Sequence, residues 1–192
     1  MSALEGQVFL KHGKLTPLSQ QALVDCSWYF GNNGCDGGED FLGYEWIMGN
    51  GGLPTVKSYG SYLAQNGKCH SNVPGVEQGV QVRSYKNVTE GSEEALMDAL
   101  ANVGPMSVSI DASLDSFSFY RSGIYDDPNC KSGLDDLDHT VTAGGYGTEG
   151  GVDYWLVKNS WSTHWGDEGY VKIARKGNVC GVATDATYPI IK

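Results

Sequence analysis

Apolar and polar positions change their rhythm near the middle of the chain. In residues 3–12, Leu4, Val8, Phe9 and Leu10 fall near one side of a helix, and Gly13 follows where a helix stops. Ser19, shortly after Pro17, is placed to cap a short helix running to Val24. Beyond a glycine-rich loop, residues 39–48 predict a third helix with Phe41, Tyr44 and Met48 on one side, ended by the glycines at 49–52. Residues 53–91 read as irregular, with one weak strand over 80–85. Ser92 caps a further helix over 93–102, whose early acids suit the positive end of the helix dipole. After Pro105 the period falls to two. Residues 106–110 alternate as a half-buried strand does, and 140–146, 154–158, 169–174 and 187–191 are further strands separated by turn residues. Helices first and closely spaced strands later predict an α+β chain of two lobes, with 1–104 mostly helical and 105–192 an antiparallel sheet or barrel.

Composition supports a packed chain and narrows its partners. Of the 192 residues, 40% are hydrophobic and 11% aromatic, enough for a core. The 27 glycines have no fixed period, which favours turns over a collagen-like or linker role. The net charge is −10, and no cluster of Lys and Arg exists to neutralise phosphates, so nucleic acid and anionic membranes are not expected partners. No apolar run reaches the ~18 residues of a membrane span, and Met1-Ser2-Ala3-Leu4-Glu5-Gly6 lacks the features of a signal peptide. Asn87-Val88-Thr89 is a sequon for N-glycosylation. The cysteines are Cys26, Cys35, Cys69, Cys130 and Cys180. None has the short spacing of zinc or redox pairs, so no metal or cofactor is expected; wide spacing fits disulfides in an oxidising compartment. With an odd count, at least one thiol stays unpaired or has its partner outside the sequence.

Three places could carry chemistry. Of the histidines, His12 and His70 read as surface residues and His164 as surface or aromatic packing, whereas His139 stands where Asp135-Asp136-Leu137-Asp138 enters an apolar strand. Carboxylates beside an imidazole can hold it and keep it charged, although a structural histidine fits the same place. The run from Tyr154 to Trp161 ends a strand in Asn159 and brings Trp155 and Trp161 close to Trp165, which suits either an ordinary aromatic core or a shielded amide that orients an imidazole. Gly34-Cys35-Asp36-Gly37-Gly38 leaves backbone uncovered, as a plain turn or as an edge for an extended peptide.

Taken together, the segments around Ala3–Gln7, Leu18–Cys26, Gly31–Gly38, Gly104-Pro105, Asp138-His139, Gly144–Gly147, Tyr154–Trp161, Trp165-Gly166, Gly169-Tyr170 and Cys180-Gly181 resemble, in order, the papain-like cysteine proteases. The likeness is to the cathepsin L group, and closer still to haemocyte-type cathepsin-like proteases of insects. It implies a single peptidase domain over 1–192 with a helical lobe and a β-barrel lobe. It further implies attack by a thiolate on a peptide carbonyl, with His139 as the imidazolium, Asn159 orienting it and Trp161 shielding that bond. Gly37, Gly38 and the Asp138 carbonyl would hold substrate backbone. Asp185, with Glu39 and Asp40 near the same rim, would favour a basic side chain two residues before the scissile bond. By the same resemblance Cys26 pairs with Cys69, Cys130 pairs with Cys180, and Cys35 is left over.

The sequence departs from that pattern at its start. The segment Cys-Gly-Ser-Cys-Trp, with the nucleophile and the preceding oxyanion glutamine, is not in residues 1–192, and neither is the usual partner of Cys35. The expectation is an N-terminally truncated peptidase, inactive alone, that acts on peptides or proteins only with a light chain or N-terminal segment supplied; a non-catalytic peptide-binding homologue is the alternative. Ser162 stands where the family has glycine. Lysosomal or extracellular residence is implied by the resemblance and the cysteines.

Overall fold

Helix α1 (Ser2–His12) stops where Gly13 takes φ 67° and returns its N–H to the carbonyl of Phe9. Ala3, Leu4 and Val8 form its buried side, while Phe9 and Leu10, expected there, are 49% and 60% exposed. Each residue advances about 100° around a helix, so Leu10 stands roughly 200° past Val8. Helix α2 (Gln20–Cys26) begins as the sequence indicates, with the Ser19 hydroxyl accepting from Ala22 N at 3.1 Å. Helix α3 (Asp40–Gly49) buries Gly43, Tyr44, Trp46 and Ile47 rather than Phe41 and Met48, which are only half-buried.

The structure, a computed structural model, describes all of residues 1–192. It divides into one unit of Met1–Lys86 with Pro189–Lys192 and a second of Asn87–Tyr188. In the first unit the stretch after α3 is more ordered than its turn residues suggested. β1 (Leu53–Pro54) pairs antiparallel with β2 (Gln78–Val80), and between them α4 (Val56–Tyr59) is capped by Thr55, which accepts from Ser58 N. β3 (Val82–Asn87) follows. Leu4, Leu18, Ile47, Leu53 and Tyr59 centre this unit's core. Cys26 is joined to Cys69 across its base, and Cys35 is free and exposed.

The second unit opens with α5 (Glu93–Asn102), capped by Ser92 accepting from Ala95 N. Leu96 and Leu100 pack this helix into the second core, so the division falls after Lys86 rather than between 104 and 105. β4 (Met106–Ile110) follows, then a short helix α6 (Asp115–Ser118) and β5 (Ile124–Tyr125), neither legible in the sequence pattern. The remaining strands are β6 (His139–Glu149), β7 (Val152–Lys158), β8 (Tyr170–Ala174) and β9 (Asp185–Ile191). Their order is β9-β4-β6-β7-β8-β5, antiparallel except where β5 joins β8 in parallel. β4 is buried at all five positions, not alternately. It lies between β6 and β9, and its Ser109 hydroxyl donates to Asp185 at 3.0 Å, which lets a polar residue occupy a buried position. Trp155, Phe117, Met106, Val108, Val157 and Ile173 fill the core, and Cys130 is joined to Cys180 beside it.

Candidate active site

β4 and β6 fix the imidazole. His139 is the first residue of β6 and pairs with Ile110, the last residue of β4. Just before it, Asp138 N donates to the Ile110 carbonyl at 3.0 Å and its carboxylate accepts from Ala112 N at 2.8 Å. The corner entering β6 is therefore pinned on both sides, and His139 has a fixed point of departure.

Asn159 follows directly on β7 and is 7% exposed. Its backbone N donates to the Gly169 carbonyl, which holds the strand end against the following turn. The side-chain oxygen lies 2.8 Å from His139 Nε2 and 2.7 Å from Ser160 N. The second contact settles the first. A backbone N–H can only donate, so the amide atom facing Ser160 must be the oxygen. An oxygen cannot donate to the imidazole either, so His139 Nε2 carries the proton and Nδ1 is the nitrogen left to take up or release one. Asn159 Nδ2, in contrast, is buried with no hydrogen-bond partner.

Aromatic rings close over this pair. Trp161 stacks on the imidazole at 5.0 Å and 25°. Trp161 is itself backed by edge contacts to Phe117 at 5.6 Å and Trp165 at 5.4 Å. Trp165 is tied down by its indole N–H, which donates to the Ser118 carbonyl at 3.0 Å. Phe117 is fully buried on α6 and was not singled out from the sequence; the apolar run Phe117, Phe119, Tyr120 was the available signal, but Phe119 is 78% exposed, which blurs any period. His164, between these tryptophans in sequence, is exposed.

The glycine position that Ser162 fills has a structural meaning. Ser162 has φ 73°, a left-handed conformation that costs a residue with a Cβ about 1–2 kcal/mol. Asp185 opens β9 opposite Ser109, whose hydroxyl bond occupies one of its carboxylate oxygens.

Gly37 and Gly38 belong to the first unit, in the exposed loop after Cys35. Gly37 has φ 106° and its carbonyl accepts from Asn33 N at 2.8 Å. A Cβ on Gly38 would run into the Asn32 side chain, whose oxygen holds Glu39 N at 2.8 Å. Asn87 and Thr89 of the sequon are both exposed.

Residues 1–190 match the family described as papain family cysteine protease. A cathepsin L-like peptidase of Aedes aegypti is 55% identical over 191 residues, covering 98% of this chain and 55% of that protein. Cathepsin L1 of Drosophila melanogaster is 49% identical over 191 residues, covering 98% of this chain and 50% of that protein. The structure of digestive procathepsin L 3 of the Tenebrio molitor larval midgut is similar with a TM-score of 0.88 and 39% identity, over 97% of this chain and 60% of that one. The chain spans about half the length of the curated relatives it matches. With a family match over nearly every residue and a histidine–asparagine pair of defined tautomer at the corner of its sheet, the chain belongs to the papain family of cysteine proteases.

Proposed function

We propose that residues 1–192 carry the proton-handling half of a cysteine endopeptidase, with the attacking thiolate supplied from outside them. The observation that carries this reading is the Asn159 oxygen, which takes Ser160 N and His139 Nε2 together and leaves His139 Nδ1 for the chemistry. A protonated Nδ1 stabilises a neighbouring thiolate. The sulfur attacks the scissile carbonyl carbon, and the carbonyl π pair moves onto oxygen. On collapse the C–N bond breaks, Nδ1 gives its proton to the leaving amine, and an acyl-enzyme thioester remains. Water then loses a proton to Nδ1 as it attacks the thioester, which restores thiolate and imidazolium. Asn159 keeps the ring in register throughout, and Trp161 keeps water from the His139–Asn159 bond.

Substrates in this reading are peptides or proteins in extended form. Gly37 and Gly38 offer main chain without side-chain cover, and the Asp138 carbonyl holds the residue before the scissile bond. Asp185 selects a basic side chain one residue further upstream. Charge pairing of its carboxylate with a guanidinium or ammonium is the physical basis of that preference. In a complete enzyme, peptides with Arg at that position should be cleaved faster than peptides with Phe; equal rates would remove Asp185 from the specificity argument.

A second reading, a peptide-binding homologue without turnover, is favoured by the cysteines. Four are in disulfides, and the fifth, Cys35, lies in an exposed turn and not in a segment of the kind that carries the family's nucleophile. One experiment separates the two. The 192-residue chain alone should neither hydrolyse fluorogenic peptides nor take label from a thiol-directed epoxide. The protein from its natural source should do both if a nucleophile segment precedes or accompanies the chain, and His139→Ala should abolish its turnover. Epoxide labelling of the 192-residue chain with peptide cleavage would overturn the first reading, and a natural protein of this mass that binds peptides without cleaving them would establish the second.

The two disulfides suit a lysosomal or extracellular setting. No helix is long and apolar enough to cross a membrane. Passage through the secretory route would expose Asn87 to glycosylation, and a mass decrease on treatment with a peptide N-glycosidase tests it; an unchanged mass, or a decrease that persists in Asn87→Gln, would refute that assignment.

A further inference from the structure

Residues 60–69 of the first unit are all exposed and contain neither helix nor strand. A loop with so little apolar burial keeps its shape through specific ties, here the Cys26–Cys69 disulfide at its end and a set of hydrogen bonds. Most of these come from α2. Gln21 accepts from Leu63 N at 2.8 Å and donates to the Gln65 carbonyl at 2.9 Å, and Asp25 accepts from Gly67 N at 2.8 Å. From its other side the loop acts on a neighbour, since the Asn66 oxygen accepts Cys35 N at 2.8 Å. Cys35 lies in the turn that leads directly to Gly37 and Gly38.

The loop is closed by His70, whose sequence position suggested only a surface residue. Its Nδ1 lies 3.0 Å from the Lys68 carbonyl and its Nε2 lies 3.1 Å from the Tyr59 carbonyl. Both oxygens are acceptors only, so both contacts are hydrogen bonds only if both nitrogens carry protons. A neutral ring would turn a lone pair on one of the two carbonyls. The ring also stacks on Tyr59 at 3.8 Å and 15°, a geometry that favours a cation over an aromatic face. The carboxylate facing the ring is Asp25 from α2. The Tyr59 phenol stays protonated, because burial and its bond to Asp25 at 2.9 Å raise it far above the ordinary phenol range. Ser71 and Asn50, on the α3 side, are bonded to each other and neutral. Lys68 is on the loop itself and exposed.

We infer that His70 is a proton-controlled positioning residue: as imidazolium it clasps Tyr59 to Lys68, orders the loop between them, and through Asn66 holds the Cys35 turn that presents Gly37 and Gly38 to substrate. The role rests on the reading of those two glycines given under Proposed function. The carbonyls of Lys68 and then Tyr59 raise the imidazole above its ordinary 6.5, against partial desolvation, and Asp25 adds to the shift. A raised folded value means the clasp is complete below the ordinary pKa and is lost as pH rises through the raised one. The substrate edge is therefore held in acid and slackens as pH rises through that raised value.

Amide and imidazole NMR of the 192-residue chain from about pH 5 to about pH 8 tests this. His70 should titrate above 6.5, and the Cys35, Leu63 and Gly67 amides should shift with the same midpoint. In His70→Phe, which keeps the stacked ring without donors, those amides should no longer titrate in that range; His70→Gln serves the same purpose if the Phe variant does not fold. Affinity for an uncleaved extended peptide should weaken about three- to tenfold through the same midpoint in the parent and not in the variant. Amides that ignore His70, amides that titrate equally in the variant, a His70 pKa at or below 6.5, or peptide affinity flat across the range would each overturn the role. Failure of the peptide to bind at any pH, with the amides still following His70, would overturn the glycine reading and the positioning role with it. Loss of the coupling with peptide binding retained would overturn the His70 role alone.

Discussion

Replacing Asn159 by alanine should leave the fold almost as stable while releasing the imidazole it holds. The side-chain oxygen makes two bonds, to His139 Nε2 and Ser160 N, and each contributes about 1 kcal/mol net. The same amide buries Nδ2 without a partner, and an orphaned donor of that kind costs about 1–3 kcal/mol. Truncation removes both the gain and the cost, so the net change should stay within about 1–2 kcal/mol, well short of unfolding a typical domain. The tautomer is another matter. With Asn159 present, a proton on Nδ1 alone would set the Nε2 lone pair against the amide oxygen and forfeit the bond. That bias is of order 1.4 kcal/mol or more, at least about tenfold in favour of the Nε2–H form. Nitrogen-15 shifts of the His139 ring in neutral solution measure the ratio, and urea unfolding of the same samples measures stability. The parent should show the proton on Nε2 and Asn159→Ala a mixed population with a nearly unchanged urea midpoint. A parent ring protonated on Nδ1, or an identical ratio in the variant, would refute the assignment of the amide oxygen.

Other expected outcomes follow from the second unit's geometry. Ser162→Gly should raise stability by about 1 kcal/mol, read as a higher urea midpoint at unchanged slope, because glycine takes φ 73° without a Cβ penalty. Burial alone would raise the Asp111 carboxyl, but hydrogen bonds from the Ser113 hydroxyl and from the amides of Lys131 and Ser113 outweigh it and hold the group below its ordinary 3.8. Its stabilisation is then full above 3.8 and lost as pH falls through the lowered value, so acid unfolding of the parent should steepen there while Asp111→Asn, about 1–3 kcal/mol weaker near neutrality, shows no such step. Replacing Cys130 and Cys180 together by serine opens a loop of sequence separation 50 and should cost about 4 kcal/mol by chain entropy, seen in chemical denaturation. Phe117→Ala should cost about 3–5 kcal/mol and loosen Trp161 over His139, visible as a red-shifted, more quenchable tryptophan emission.

Particular residues show where sequence reasoning reached its limit. Ser19 and Ser92 capped the helices they were expected to cap, because an N-cap is a local arrangement of a hydroxyl and an amide three residues on. The strands from β6 to β9 were found within a few residues for the same reason: their β-branched and aromatic residues lie between turn residues. Helix α4 and the β1–β2 pair escaped notice because two- to four-residue elements carry no period to detect; they exist because Leu53 and Tyr59 are drawn into a core assembled from distant segments. The outward Phe9 and Leu10 and the buried Ser107 and Ser109 misled a reading based on polarity alone.

By itself, the sequence determined the order of the longer helices and strands, the acidity that argues against phosphate partners, and the family motifs that contain His139, Asn159, Gly37 and Gly38. Each of these is written in residue type and spacing, which survive without knowledge of what lies across space. Only the tertiary structure decided which imidazole nitrogen is free at His139, that Ser162 sits in left-handed backbone, that α5 packs with the strands, and that His70 faces two carbonyls. The contacts of His70 with Tyr59 and of His139 with Asn159 join positions 11 and 20 residues apart, and a hydrogen bond's donor and acceptor are defined only once both partners are in place.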